Sequence, residues 1–286
     1  MSREKDSDRG TNWLPLLAAT GLGAWLAVRA YRHWRSCDLR GKSVLVTGGS
    51  RGLGLVLART LAQEGARVAI CARDQAGLDR AVQLLGSGVF GHRADVTRPG
   101  EVEAFIEATA ARYTRLDILV HNAGGGGGGA MVASESDFSH AVEINVFAGL
   151  RAVRAAVPYM RGTGRGRIVF IASVYGRESG GRAGYNLAKA AEISLAKSLS
   201  RELAGDSILV NSVAPGSILF PGGNWDRRRQ ADPEGIAAFV KSDMPLGRFG
   251  KPEEVAAVVA FLASDQASLV SGACWTVDGG QSRSLV

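Results

Sequence analysis

The chain has 286 residues, enough for one large α/β domain or two small ones. Its composition, 46% hydrophobic and 21% charged, is that of a globular protein and excludes a disordered or fibrous chain. The formal net charge is +7, but no basic stripe with interleaved aromatic residues occurs. The short run Arg227–Arg229 is expected to be a solvated turn, so nucleic acid is not predicted as a partner.

The three cysteines, Cys37, Cys71 and Cys274, lie far apart in the sequence. They form neither a C-x-x-C metal spacing nor an even set for disulfides, and they suit a reducing compartment. We therefore predict no metal site.

An uncharged apolar segment of 16 residues runs from Trp13 to Val28. As a helix it spans roughly 24 Å, and extending it to residue 31 brings it close to the roughly 30 Å hydrocarbon core of a bilayer. Arg29, Arg32 and Arg35 follow it, which places the bulk of the chain in the cytoplasm by the positive-inside rule. Residues 13–31 are therefore predicted to anchor the protein to a membrane.

Other interpretations of this segment stay open. It could be an interfacial helix, a helix packed on protein, or a cleaved signal peptide, for which Val28-Arg29-Ala30 is a poor cleavage site. A soluble cytoplasmic protein is the corresponding alternative for localisation. In either case residues 1–37 are predicted to be a tail with this apolar helix, and residues 38–286 to be one domain.

From residue 38 onward, short apolar runs alternate with helical patterns. Strands are predicted at residues 43–47, 67–71, 89–94, 116–121, 167–172, 208–213 and 273–277. Helices are predicted at residues 53–64, 137–160, 185–203 and 252–263. Continuous apolar runs are typical of strands buried on both faces of a parallel sheet, so we predict a single doubly wound Rossmann-type α/β domain with a mostly parallel sheet of seven strands.

A glycine-rich turn follows the first predicted strand and opens a helix. Its residues are Thr47, Gly48, Gly49, Ser50, Arg51, Gly52, Leu53 and Gly54. Glycines at this point let the backbone turn tightly and approach a pyrophosphate at the helix N-terminus. No Gly-Lys-Ser/Thr follows, so this is not a P-loop.

The spacing T-G-x-x-x-G-x-G resembles that of the classical short-chain dehydrogenase/reductase family, and the resemblance covers about residues 40 to 280. It implies that Asp95 and Val96 contact the adenine and that Asn122, Ala123 and Gly124 line the cofactor site. His121 stands where the family usually has a further Asn. Pro215, Gly216 and Ile218 resemble the turn beside the nicotinamide, where Phe220 replaces a usual Thr.

The end of the second strand indicates which dinucleotide binds. Arg73 lies where dinucleotide folds commonly place an acid for the adenosine ribose, and an arginine suits the 2′-phosphate of NADP. Arg51 in the glycine turn supports the same choice. Asp74 follows at once, so a shift of one residue would favour NAD. We predict NADP(H) in preference to NAD(H).

The catalytic prediction starts from Tyr185 and Lys189, which share one face of a helix, and from Ser173 upstream. A free tyrosine titrates near 10, and a neighbouring ammonium favours its phenolate. A serine hydroxyl can hydrogen-bond the reacting oxygen. Resemblance adds Asn145 as the support of a proton relay and gives Tyr185 and Lys189 cofactor contacts as well; Tyr175 has no lysine four residues on.

These features predict an oxidoreductase that transfers a hydride between NADP(H) and a carbonyl or secondary alcohol, most simply a reductase of a lipophilic ketone or aldehyde. The alternatives are an NAD-linked alcohol dehydrogenase of the same fold and a non-catalytic NADP(H)-binding membrane scaffold. Residues 217–247 are expected to form a substrate lid. The resemblance also implies a homo-dimer or homo-tetramer formed through the helices at 137–160 and 185–203.

Overall fold

The computed structural model describes residues 37–126 and 128–285. A central sheet of seven parallel strands organises this part of the chain. The strands are β1 (Ser43–Thr47), β2 (Arg67–Ala72), β3 (Phe90–Arg93), β4 (Ile118–His121), β5 (Gly166–Ile171), β6 (Ile208–Pro215) and β7 (Cys274–Val277). Their spatial order is β3-β2-β1-β4-β5-β6-β7, so the chain reverses its direction of winding between β1 and β4. In open α/β sheets, ligands bind at the carboxyl ends of the strands beside such a reversal.

The helices connect successive strands. They are α1 (Gly52–Gln63), α2 (Gln75–Leu85), α3 (Glu101–Tyr113), α4 (Glu135–Val142), α5 (Ala148–Thr163), α6 (Ala183–Glu202), α7 (Asn224–Ala231), α8 (Pro233–Asp243) and α9 (Pro252–Ala263). One side of the sheet packs on α3, α5 and α6, and the other side packs on α1, α2 and α9. Each face of the central strands is therefore buried, as their continuous apolar runs predicted.

The doubly wound sheet is confirmed, with differences in its helices. The helix expected over residues 137–160 is two helices, α4 and α5, joined by a π-helical turn at Glu143–Phe147. Helices α2 and α3 were not predicted. The prediction of a solvated turn at Arg227–Arg229 is wrong, because these residues lie in α7, where the buried Asp226 accepts a hydrogen bond from the backbone N–H of Gly222.

The apolar segment at residues 13–31 lies outside the described residues. Among the helices of residues 37–126 and 128–285, none is long and apolar enough to cross a membrane.

Candidate active site

A cleft of about 780 Å³ opens at the carboxyl ends of the strands beside the reversal between β1 and β4. Twelve of the predicted cofactor-binding residues line it: Gly48, Ser50, Arg51, Gly52, Leu53, Gly54, Arg73, Asp95, Val96, Asn122, Ala123 and Gly124. The cleft thus brings together residues that follow four different strands.

The glycine turn packs too closely for side chains. A Cβ on Gly54 would lie 2.2 Å from the carbonyl oxygen of Gly48 and 2.5 Å from Nδ2 of Asn122. Gly48 itself has a φ of +67°, which favours glycine. Arg51 caps α1 without a side-chain hydrogen bond, and the first turn of α1 has no acidic residue. The helix N-terminus therefore presents its N–H groups and positive dipole to the cleft, which fits the pyrophosphate of a dinucleotide.

Thr47 ties the glycine turn to the end of β4. Its buried Oγ1 accepts hydrogen bonds from the backbone N–H groups of Asn122 and Ala123, both at 3.1 Å. The side-chain amide of Asn122 in turn donates to the carbonyl oxygens of Thr47 and Gly48. Thr47 does not line the cleft, so it acts by holding the residues that do.

The end of β2 presents arginines and an aspartate to the cleft, and the aspartate also caps a helix. Arg73 is exposed and lines the cleft together with Arg51 and Arg80. Asp74 caps α2, where its Oδ2 accepts a hydrogen bond from the backbone N–H of Gly77 at 2.8 Å. Arg80 was missed from the sequence, because only the helix geometry of α2 brings it back beside Arg73.

Asp95 lies in the cleft wall, but its carboxylate is already bonded. Oδ1 accepts hydrogen bonds from the backbone N–H and the hydroxyl of Thr97, at 3.0 and 2.7 Å. Burial opposes the charged form, yet these bonds and the charge of Arg73 hold the pKa of Asp95 below its ordinary value. The carboxylate thus stays charged and fixed in orientation.

Lys189 of the predicted catalytic set is held by two hydrogen bonds. Its side chain is buried, and its Nζ donates to the carbonyl oxygen of Ile171 and to Oε2 of Glu192, each at 2.7 Å. The ammonium lies 5.7 Å from the centre of the Tyr185 ring. Although burial opposes its charge, Glu192 and Tyr185 hold the pKa of Lys189 above its ordinary value. Glu192 was not predicted from the sequence.

Asn145 occupies the π-helical turn, fully buried. Its Nδ2 donates to the carbonyl oxygens of Ala141 and Gly125, and its Oδ1 accepts from the N–H of Gly125. A Cβ on Gly124 would lie 2.5 Å from Oδ1 of Asn145 and 3.1 Å from Nζ of Lys189. Asn145, Gly124 and Lys189 therefore meet at one point.

Ser173 follows β5, close along the chain to the carbonyl that holds Lys189. It is buried, and its Oγ accepts a hydrogen bond from the backbone N–H of Tyr175 at 3.2 Å. Tyr185 is half-buried in the first turn of α6 and interacts electrostatically with Tyr175. The fold thus gathers Ser173, Tyr185, Lys189 and Asn145 at the carboxyl ends of β4 and β5.

The turn after β6 is clamped by the C-terminal part of the chain. A Cβ on Gly216 would lie 2.6 Å from Cβ of Asp278. The side-chain oxygen of Gln281 accepts from the N–H of Ser217, and its amide donates to the Ser217 hydroxyl. Pro215 and Ile218 flank this turn, and Ile218 forms a bridge to Gly250. These residues, like Gly216, lie outside the cleft lining.

The predicted lid is helical and aromatic. Trp225 of α7 stacks on Phe239 of α8 at 4.7 Å between ring centres, and Phe249 lies 5.2 Å from Trp225. Phe220 faces the glycine turn, since a Cβ on Gly52 would lie 2.7 Å from its ring. Further lid residues that line the cleft and were not predicted are Pro221, Gly222, Gly223, Asn224 and Arg227.

No group of three or more His, Cys, Asp or Glu residues that could hold a metal ion occurs within residues 37–126 and 128–285.

Comparison with known proteins identifies the family. Residues 48–282 match the family model described as enoyl-(acyl carrier protein) reductase. The chain is 37% identical over 245 residues to 3-oxoacyl-[acyl-carrier-protein] reductase of Escherichia coli, covering 85% of this chain and 98% of that protein. It is 36% identical over 267 residues to dehydrogenase/reductase SDR family member 4 of Mus musculus, covering 90% and 94%.

A solved structure agrees with these matches. L-sorbose reductase from Gluconobacter frateurii, complexed with NADPH and L-sorbose, superposes with a TM-score of 0.82 at 32% identity, covering 87% of this chain and all of that one. The chain belongs to the classical short-chain dehydrogenases/reductases and is an NAD(P)-dependent oxidoreductase acting on CH–OH groups or the corresponding carbonyls.

Proposed function

We propose that the protein is an NADPH-dependent reductase of a lipophilic ketone or aldehyde. The observation that carries this proposal is the Lys189 ammonium, held by two buried hydrogen bonds 5.7 Å from the Tyr185 ring. An NAD-linked alcohol dehydrogenase is the alternative within the same family.

Each member of the predicted set has a role in this reaction. The reduced nicotinamide supplies the hydride that the carbonyl carbon receives. Tyr185 gives the proton that converts the carbonyl oxygen to a hydroxyl, and Ser173 hydrogen-bonds that oxygen. Lys189 holds positive charge beside the phenol and binds the cofactor ribose. Asn145 holds the backbone of Gly125 and supports the proton relay to Lys189 that the family resemblance implies.

The choice of NADP(H) is supported by three guanidinium groups. Arg51, Arg73 and Arg80 line the same cleft, and arginine matches the geometry of a phosphate. Asp74 would be needed for a ribose hydroxyl in an NAD enzyme, but its carboxylate caps α2. The NADPH in the sorbose reductase structure and the reductase function named for the Escherichia coli relative add further support.

A lipophilic substrate is supported by apolar side chains near the start of α6. The carbonyl oxygen of Gly128 accepts a hydrogen bond from the N–H of Gly184, which brings the glycine-rich loop beside the helix turn that carries Tyr185. Met131 and Val132 follow in this loop and are 95% and 89% exposed. Exposed apolar side chains that lie together mark binding surfaces, and these two lie in the loop that contacts the start of α6.

Titration of NADPH and of NADH into the full chain, followed by nicotinamide fluorescence, tests the proposal. We expect NADPH to bind at least about tenfold more tightly than NADH. An arginine–phosphate pair that contributes about 1.4 kcal/mol is enough to lower the Kd tenfold. Oxidation of NADPH by a panel of medium-chain ketones and aldehydes then tests the reaction.

The other outcomes identify the alternatives. Tighter NADH binding would favour the alcohol dehydrogenase and assign the ribose contact to Asp74. NADPH binding without turnover of any carbonyl or alcohol would favour the non-catalytic scaffold. Binding of neither dinucleotide would contradict both the cofactor prediction and the reaction.

The domain boundary and the membrane association are part of the same proposal. Residues 38–286 form the catalytic unit, and residues 13–31 anchor it with the active site in the cytoplasm, as their apolar length and the following arginines indicate. Co-sedimentation of the full chain with vesicles in high salt tests this. Recovery in the supernatant would contradict the anchor and favour the soluble cytoplasmic alternative.

A homo-dimer or homo-tetramer is also proposed. Phe147, Tyr159 and Leu187 are 49%, 39% and 50% exposed, and they lie on the π-helical turn, α5 and α6. These are the helices that the family resemblance assigned to an interface. Light scattering of the detergent-solubilised chain tests the assignment, and a monomer at micromolar concentration would contradict it.

A further inference from the structure

Glu192 is a fully buried carboxylate in contact with the predicted catalytic lysine. It lies one helical turn after Lys189 on α6, and its Oε2 accepts a hydrogen bond from Nζ of Lys189 at 2.7 Å. Both side chains are almost inaccessible, at 0% and 3% exposed. The second carboxylate oxygen, Oε1, is buried with no hydrogen-bond partner in the described part of the chain.

Burial of a carboxylate in such a position costs free energy unless a favourable interaction of its charge offsets that cost. Removal from water disfavours the ionised form, and only one of its oxygens is satisfied. Burial accordingly raises the pKa of Glu192 to about 7 against the opposing effect of Lys189. A packing role alone would be met by an apolar side chain of similar volume.

The same ammonium serves two partners. Lys189 lies 5.7 Å from the Tyr185 ring and also donates to Glu192, so the phenol faces an ion pair rather than an isolated positive charge. An isolated ammonium at this distance favours the phenolate, whereas a compensated ammonium favours it less.

Groups on other elements also face this pair. Among the described residues, His121 of β4 interacts with Lys189, and burial lowers its pKa to about 3, so it is neutral near pH 7. Tyr175, which follows β5, interacts with Tyr185, and burial raises its pKa, so it is neutral as well. Further charges act on these two side chains: Arg151 on His121, and Glu178, Arg228 and Asp243 on Tyr175. Lys189 and Glu192 form the buried ion pair beside the Tyr185 ring.

We propose that Glu192 is a positioning residue: its carboxylate offsets the Lys189 ammonium, so that the Tyr185 phenol retains its proton and is set to act as the acid in carbonyl reduction. The inference rests on the proposed function for Tyr185. In reduction, the carbonyl carbon gains a hydride and the oxygen gains the phenol proton; in the reverse direction, the phenolate takes the hydroxyl proton. Glu192 thus keeps Tyr185 in the protonated form that carbonyl reduction requires.

Glu192→Gln tests this, because the amide oxygen can still accept the Lys189 hydrogen bond while the negative charge is lost. The ionisation of Tyr185 is measured as the near-ultraviolet tyrosinate absorbance of each protein minus that of its Tyr185→Phe counterpart. We expect this titration to move about one pH unit towards acid in Glu192→Gln. Glu202→Gln, an exposed change on the same helix, is the matched control and should not move it.

The pH profiles of turnover provide the second measurement. The alkaline limb of carbonyl reduction and the limb of alcohol oxidation should both move towards acid in Glu192→Gln, while the Kd for NADPH stays within about twofold. Should the variant fail to fold, Glu192→Asp, which draws the charge back by one methylene, should give a smaller shift in the same direction.

An unmoved titration, or a shift towards alkali, would overturn the proposal and leave Glu192 a structural residue. The absorbance titration needs no turnover, so it separates this inference from the proposed reaction. A shifted titration in a protein that turns over no carbonyl would contradict the reaction and retain the role of Glu192.

Discussion

The cofactor wall and the substrate side of the cleft are built differently. The cofactor wall is held by buried hydrogen bonds, such as those that the backbone N–H groups of Asn122 and Ala123 donate to Oγ1 of Thr47. The loop beside the start of α6, which we propose faces the substrate, carries exposed apolar residues such as Met131 and Val132. Fixed backbone geometry suits a dinucleotide, whereas exposed side chains can change without disturbing the core.

This difference explains why the type of reaction is easier to predict from the sequence than the substrate is. A close backbone approach, as at Gly54, leaves one acceptable residue type and therefore a recognisable pattern. A position that holds an exposed methionine, in contrast, accepts many residue types and leaves no recognisable pattern. Substitutions should therefore have their largest effects on the fixed cofactor side and their smallest on the variable substrate side.

Tyr185→Phe removes the proposed acid from the fixed side. We expect turnover to fall by roughly a thousandfold or more, since a positioned acid contributes about 10² to 10⁴, while the Kd for NADPH changes less than about threefold. Steady-state kinetics and fluorescence titration measure both. Tyr175→Phe, the neighbouring half-buried tyrosine, is the control and should retain most activity; equal losses in the two variants would contradict the assignment.

Gly54→Ala places a Cβ 2.2 Å from the Gly48 carbonyl and forces the glycine turn apart. We expect the free energy of unfolding to fall by about 3 kcal/mol, as for overpacking, and NADPH binding to weaken along with it. Urea unfolding measures the first effect. Gly88→Ala, at an exposed site with no atom within 4 Å, is the control. A Gly54→Ala protein as stable as Gly88→Ala would show that the turn is not tightly packed.

His121→Asn tests the buried end of β4. Burial lowers the pKa of His121 from 6.5 to about 3, so the unfolded chain binds a proton that the folded chain excludes as pH falls through this range. Stability contributed by neutral His121 is therefore present above about pH 6.5 and lost towards acid. Between about pH 6 and pH 4, the wild type should lose up to roughly 1.4 kcal/mol per pH unit more than His121→Asn.

Urea unfolding across this range measures that loss. His92→Asn, which removes a half-buried histidine of the edge strand β3, is the matched control and should follow the wild type. Parallel pH profiles for the wild type and His121→Asn would mean that His121 takes up its proton in the folded state.

Met131→Ser tests the variable side. We expect the KM for a lipophilic carbonyl to rise by a few fold, because loss of apolar contact costs about 1 kcal/mol, with kcat within twofold. Leu269→Ser is the control, since Leu269 is 97% exposed and lies before β7, at the amino end of that strand. A KM that is unchanged for every lipophilic substrate would remove the 131–132 segment from the substrate surface.

Much of the fold was predictable because the central strands are buried on both faces. Each of the seven predicted strands occurs, with ends shifted by up to two residues, and α9 begins and ends as predicted at Pro252 and Ala263. Helices α2 and α3 were missed, since their apolar positions are mixed with many charged and small residues. The π-helical turn at Glu143–Phe147 was unpredictable, because it breaks the 3.6-residue period on which the expectation of one continuous helix rested.

The candidate site was predictable where residue type and spacing act together. Tyr185 and Lys189 share a helix face, and the structure places the Lys189 ammonium near the Tyr185 ring. Glu192 was not predictable in the same way, because a glutamate three residues after a lysine is most often a solvated surface pair. Its burial depends on the packing of α6 against the sheet. Arg80 was missed for a similar reason, since its approach to Arg73 depends on how α2 packs.

The carboxylate that caps α2 has a consequence for protein engineering. Asp74 accepts the hydrogen bond from the N–H of Gly77, so it is committed to starting that helix. A designer who wished to exchange the cofactor by turning Asp74 towards a ribose would uncap α2, at a cost of about 1 kcal/mol. Redesign of the proposed site for NAD(H) would therefore first need a replacement cap for α2, and only then a change at Arg73.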